Sequence, residues 1–139
     1  MEKKLKHLEM IVRIIERMEK NSFSLKSWTM TLLVAICALS VNDSEKRFIL
    51  IAGLPTITFW LLDSFYLYIE SKYRILYKIV SKRKESEIDF SMDINNIALS
   101  KCEMEKIYFI KCLFSFSEIL FYLPLIIGIV LIICLLKIF

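Results

Sequence analysis

"FWLLDSFYLY", residues 59–68, sets one aspartate inside a run that is otherwise apolar and aromatic enough for hydrocarbon. An ionised carboxylate in the middle of a membrane helix costs about 2.5–3.5 kcal/mol on insertion scales, so Asp63 demands a partner or a wet cavity. The rest of the chain favours a span over a soluble core. At 139 residues and 57% hydrophobic, with two Gly and two Pro, it is too short for two soluble domains and too apolar for one ordinary one. The composition predicts an all-α membrane protein.

The apolar segment around Asp63 covers residues 48–69 and contains Pro55, which a membrane helix tolerates when neighbours satisfy the freed carbonyl. Before it, "SWTMTLLVAICALSV" (27–41) gives 15 uncharged residues, and Lys26 can snorkel to lengthen the span. "NDSEKR" (42–47) joins the two as a tight antiparallel hairpin. Residues 1–21 repeat Leu5, Leu8, Ile11, Val12, Ile15 and Met18 at helical spacing, predicting a cytoplasmic amphipathic helix. Its polar face mixes Glu16 and Glu19 with Arg13, Arg17 and Lys20, which favours packing on protein over lying in the lipid interface. "NSF" (21–23) then supplies cap and turn residues.

Beyond Ile69, Tyr73, Leu76, Tyr77 and Val80 keep the helical period among basic residues, so the second span continues into the cytosol to about Lys84. Residues 86–100 show no period and are expected to connect, with at most a short helical turn. A third helix starts at Lys101, and its core "ILFYLPLIIGIVLIICLL" (119–136) is the strongest span, at 18 uncharged residues. Pro124 and Gly128 there suit a bend or a close helix contact. The predicted organisation is an amphipathic helix (1–21), a transmembrane hairpin with cytoplasmic extension (22–84), a cytoplasmic connector (85–105) and a third transmembrane helix (106–139).

Positive charge sets the orientation. Basic residues crowd the segment before the first span and the segment between the second and third, while Lys46, Arg47 and Lys137 alone mark the other side. The N-terminus is expected in the cytoplasm and the C-terminus outside. No cleavable leader is visible in the charged first twenty residues. Folding the hairpin between Ser44 and Glu45 brings positions whose numbers sum to 89 to one depth, so Asp63 faces Lys26. Such a pair makes both charges cheaper to keep near the inner interface. The alternatives are that Asp63 lines a polar vestibule in an oligomer or lies exposed at the headgroups. Trp28 and Trp60 fall at nearly the same level as interface anchors. Glu118, just before the third core, is a second acid for a pore or vestibule, though its place fits a helix start; Ser115 and Ser117 are its expected hydrogen-bond partners. His7 is expected in solvent.

The spans hold one acid and scattered hydroxyls, with no paired nucleophile and base, no zinc motif and no phosphate loop, so an enzyme is not expected. No metal or other cofactor is expected either. The four cysteines suit neither a disulfide framework nor a metal site. Basic residues lie in blocks beside apolar segments, which disfavours nucleic acid and favours a lipid bilayer with anionic headgroups as partner. Arg74, Lys78, Lys82, Arg83 and Lys84 form one such block, open to anionic lipid or to a nucleotide signal.

"NSFSLKSWTMTLLVAICALS", a short loop, and "FWLLDSFYLYIESKYRILYKIV", with Trp60, Asp63, Tyr66, Glu70, Tyr73, Arg74 and Tyr77, resemble the bacterial SLATT-like two-span hairpin membrane proteins. They are also similar to the octameric membrane proteins that accompany some RNA-targeting CRISPR systems. The resemblance covers residues 1–84, and the third span departs from it. It implies a homo-oligomer in the bacterial inner membrane that forms pores or depolarises the membrane in antiphage defence or toxicity, triggered by a cytoplasmic sensor protein or nucleotide. The rival functions are a membrane immunity or inhibitor protein that binds a toxin or channel, and a phage holin.

Overall fold

The structure is a computed structural model describing residues 2–40, 48–94 and 109–135, all helix or short connection with no strand among them. The expected loop at 42–47, the second half of the connector and the start of the third helix at Lys101 lie outside the described residues. The elements are α1 (Glu2–Leu39), α2 (Phe48–Ile51), α3 (Gly53–Lys82), a 3-10 turn (Glu85–Glu87), α4 (Phe109–Leu113) and α5 (Phe116–Leu135).

α1 is one helix of 38 residues, about 57 Å long. The expected turn at residues 21–23 is absent: Asn21, Ser22 and Phe23 are helical. No Gly or Pro precedes Gly53, and the flanking serines return their hydroxyls to the helix, Ser24 to the Lys20 carbonyl (2.9 Å) and Ser27 to the Phe23 carbonyl (3.1 Å). Packing fixes the rest. Ile11, Met18 and Leu25 are buried at seven-residue spacing, so one stripe runs straight through the segment.

The segment expected as a single second span is divided. Pro55 has no N–H and its ring crowds the carbonyl four residues back, that of Ile51, where α2 ends. Placed in the first turn of α3, the proline removes a donor that would have had no partner there. α3 then runs unbroken to Lys82, two residues short of the expected end.

α1 and α3 are antiparallel and make the largest helix–helix interface. At one end Ile11, Leu76 and Val80 are buried together, with Ile88, Met92 and Ile94 of the connector laid over them. At the other, Ile49, Ala52 and Ile129 close a second core against Leu33 and Ile36 of α1 and Ile132 and Ile133 of α5. Between the two cores lie the charges.

Among the described residues two helices, α1 and residues Phe116–Cys134 of α5, are long and apolar enough to cross a membrane. α3 is long enough, but Asp63, Glu70 and the basic residues from Lys72 onward, with its threonines and serines, make it less apolar. A Cβ built on Gly128 meets nothing within 4 Å, so of the two alternatives there, a bend or a close helix contact, the close contact is not made among the described residues.

Candidate functional site

Lys26 projects from α1 into the angle between α3 and α5. An ammonium has three N–H bonds to give. All three are used: on Ser22 Oγ (3.1 Å), on Asp63 Oδ2, and on Glu118 Oε1 (2.9 Å). The Lys26 side chain is 17% exposed, against 0% for Asp63 and 1% for Glu118. Tyr122, one turn beyond Glu118, donates its hydroxyl to Asp63 Oδ2 at 3.2 Å. The ammonium also lies 5.9 Å from the ring centres of Phe121 and Tyr122, within cation–π range.

Local sequence places each member. Ser22 and Lys26 are one turn apart on α1, so their side chains meet. Ser115-Phe116-Ser117-Glu118 has the spacing of a capping box, and Ser115 Oγ accepts the Glu118 backbone N–H at 3.4 Å. The Glu118 carboxylate makes its bond to Lys26 in place of the usual return to the cap. Glu118 is thus both a helix-start residue and a member of the cluster. Ser115 is the serine that serves it, through the backbone, while Ser117 is exposed.

Trp60 is turned inward. Its indole N–H donates to the Leu113 carbonyl (3.2 Å), where α4 ends, and its ring stacks on Tyr122 at 6.1 Å. Trp28 is 59% exposed on the outer face of α1. The two tryptophans expected to share one role therefore have different surroundings.

The basic block at the end of α3 is partly spoken for. Arg74 binds Glu70 (2.6 Å) and Glu19, and the Glu70 hydrogen bond pushes its guanidinium above the ordinary value. Arg83 lies 3.6 Å from Asp89. Lys78, Lys82 and Lys84 are exposed, and no ion pair engages them among the described residues. Arg74 and Lys78 line a cleft of about 510 Å³ together with Glu16 and Glu19, a mixed rather than cationic wall.

His7 is buried, not in solvent. Its Nε2 is 3.2 Å from the Ser91 carbonyl and its ring is 5.5 Å from that of Phe90. The connector returns to α1 and covers it. Phe90 sits at φ 55°, a left-handed conformation costly for a residue with a side chain. The Asp89 carboxyl, exposed beside it, is held below the usual carboxylate range by the Ser91 backbone N–H at 3.1 Å.

Sequence reasoning missed Tyr122, Ser22 and the link from Glu118 to Lys26. A signal for the last was present, since Glu118 opens the third apolar core at the end that shares the depth of Lys26 and Asp63. Comparison with protein-family models, with curated proteins and with solved structures found no match.

Proposed function

We propose that the chain is a three-span bacterial inner-membrane protein that self-assembles and perturbs the membrane as an effector of defence or toxicity. One observation carries the membrane part: polar and charged side chains are buried beside the apolar core while many large apolar ones face outward. The buried set includes Thr29, Thr56, Asp63, Ser64, Glu70 and Glu118, whereas Trp28, Val34, Leu54, Phe65, Phe116 and Leu120 are exposed. In water that arrangement fails; in lipid it is the stable one.

α3 supports the third crossing. Leu54, Ile57, Leu61, Leu62 and Phe65 form one exposed apolar stripe, and Thr56, Asp63 and Ser64 are turned away from it. Helix length supports the depth. From Lys26 to the end of α1 is about 20 Å, and from Glu118 to the end of α5 about 25 Å, against a hydrocarbon core of about 30 Å. The ionic cluster then lies inside the inner part of the hydrocarbon, which is why its members bind one another. In this orientation α3 carries Lys78 and Lys82 about 22–28 Å from Asp63, past the headgroup layer and into the cytoplasm, where an anionic signal can meet them.

The effector part draws on the resemblance of residues 1–84 and on apolar faces free to meet further copies. Expression in a bacterium carrying a potential-sensitive dye tests it, with loss of membrane potential expected. A chain that leaves the potential intact and protects cells from a co-expressed toxin supports the inhibitor function instead. A reporter active only outside the cytoplasm, fused after Phe139, is expected to be active; silence there contradicts three spans.

A further inference from the structure

The charges in the cluster do not balance. α1 contributes one cation, Lys26; α3 contributes Asp63; α5 contributes Glu118 and the Tyr122 phenol; α4 sets the Cys112 thiol within electrostatic reach of Glu118 and Glu70. Fully ionised, Lys26, Asp63 and Glu118 would hold one positive and two negative charges with almost no contact with solvent. The ammonium has no further proton to donate, since its three bonds end on Ser22, Asp63 and Glu118. Two carboxylate oxygens, Asp63 Oδ1 and Glu118 Oε2, are buried with no hydrogen-bond partner among the described residues. Two carboxylates gripping one nitrogen are close neighbours, and neighbouring buried carboxylates resist ionising together.

We propose that Asp63 and Glu118 form a proton-binding site that holds one exchangeable proton at neutral pH. A hydronium from the cytoplasmic side gives its proton to the pair and leaves as water. The cluster becomes neutral, and the new O–H serves one of the two unbonded oxygens as donor. The proton belongs to the pair rather than to either residue. A calcium or magnesium ion is a poorer occupant, because it takes six or more oxygens, and for any divalent metal no third acidic, His or Cys ligand joins the two carboxylates among the described residues. Loss of the proton leaves a net negative charge between α1, α3 and α5, relieved by water entering or by α5 parting from the hairpin. The site thereby couples proton concentration to closure of the three-helix contact: the packed state is favoured with the proton bound and weakened as pH rises.

The site rests on the membrane placement above and is independent of the effector role. Infrared spectroscopy of the full chain in lipid nanodiscs tests it through the carbonyl stretch of a protonated carboxylic acid. Wild type is expected to show one such band at neutral pH, shifted in heavy water and lost on alkaline titration. D63N and E118Q each leave one carboxylate facing one ammonium, so each loses the band; K26M leaves two acids without a cation, and its band is about twofold stronger. Absence of the band from wild type overturns the proposal, as does its survival in both D63N and E118Q. A band that appears only when sodium is replaced by choline also overturns it, in favour of an alkali-cation site. The wild-type spectrum needs no variant to fold. Amide dichroism of the same sample reports separately whether the helices stand across the bilayer, so failure of the membrane placement and failure of the proton site are distinguishable.

Discussion

Lys26 has three protons and three acceptors, and that count makes it the residue on which the cluster depends. Removing one acid leaves a balanced pair; removing the lysine leaves two buried acids with no cation. K26M is therefore expected to lower stability by about 3–5 kcal/mol, the cost of breaking a buried pair from one side. D63N and E118Q should each cost clearly less. Unfolding in detergent, followed by circular dichroism, gives the ranking, and equal losses in all three would deny Lys26 its central place. Depth matching about the middle of the hairpin was enough to set Lys26 opposite Asp63 from sequence. Glu118 sits at the same end of its own apolar core, yet a single acid at a helix start has an adequate local explanation, and nothing in one dimension says toward which neighbour a side chain turns. His7 was misplaced for a related reason. The buried stripe of Ile11, Met18 and Leu25 extends one turn back to His7, but only the returning connector covers it.

At the scale of elements, the boundaries follow backbone chemistry more closely than composition. Asn21-Ser22-Phe23 reads as a turn by residue type, and it is helix because the seven-residue stripe crosses it and no Gly or Pro interrupts. Pro55, treated as a tolerable interruption, sets the break between α2 and α3. α5 begins at the Ser115 cap, so S115A is expected to cost about 1 kcal/mol, while S117A, at an exposed position, should be near neutral. Thermal unfolding of the two variants in the same detergent checks the contrast. The connector is held to α1 through His7, Phe90 and Ser91. H7A should raise protease cleavage within residues 86–94 severalfold and leave insertion into membranes unchanged; unaltered cleavage would mean that Ile88, Met92 and Ile94 hold the connector by themselves.

For the whole molecule, the helical class was legible in outline, because long apolar stretches with few Gly and Pro predict helices, and two of those described are long and apolar enough to cross a membrane. The division of labour between the tryptophans was not, since matching positions about the hairpin say nothing of which face of its helix each occupies. Trp28 is exposed and Trp60 is bonded to Leu113 and stacked on Tyr122. In bilayers containing brominated lipid, a chain keeping only Trp28 should be quenched several times more strongly than one keeping only Trp60. Equal quenching would contradict the packing of α4 and α5 against α3. In the proposed membrane setting one lysine holds two acids, from two other helices, inside the bilayer. Solid-state NMR in lipid tests this by recoupling the Lys26 Nζ nitrogen to the side-chain carboxyl carbons of Asp63 and Glu118. The account predicts that both carbons dephase the nitrogen signal and that it is protected from exchange with water; coupling to one carbon only, or an ammonium exchanging freely, would contradict it.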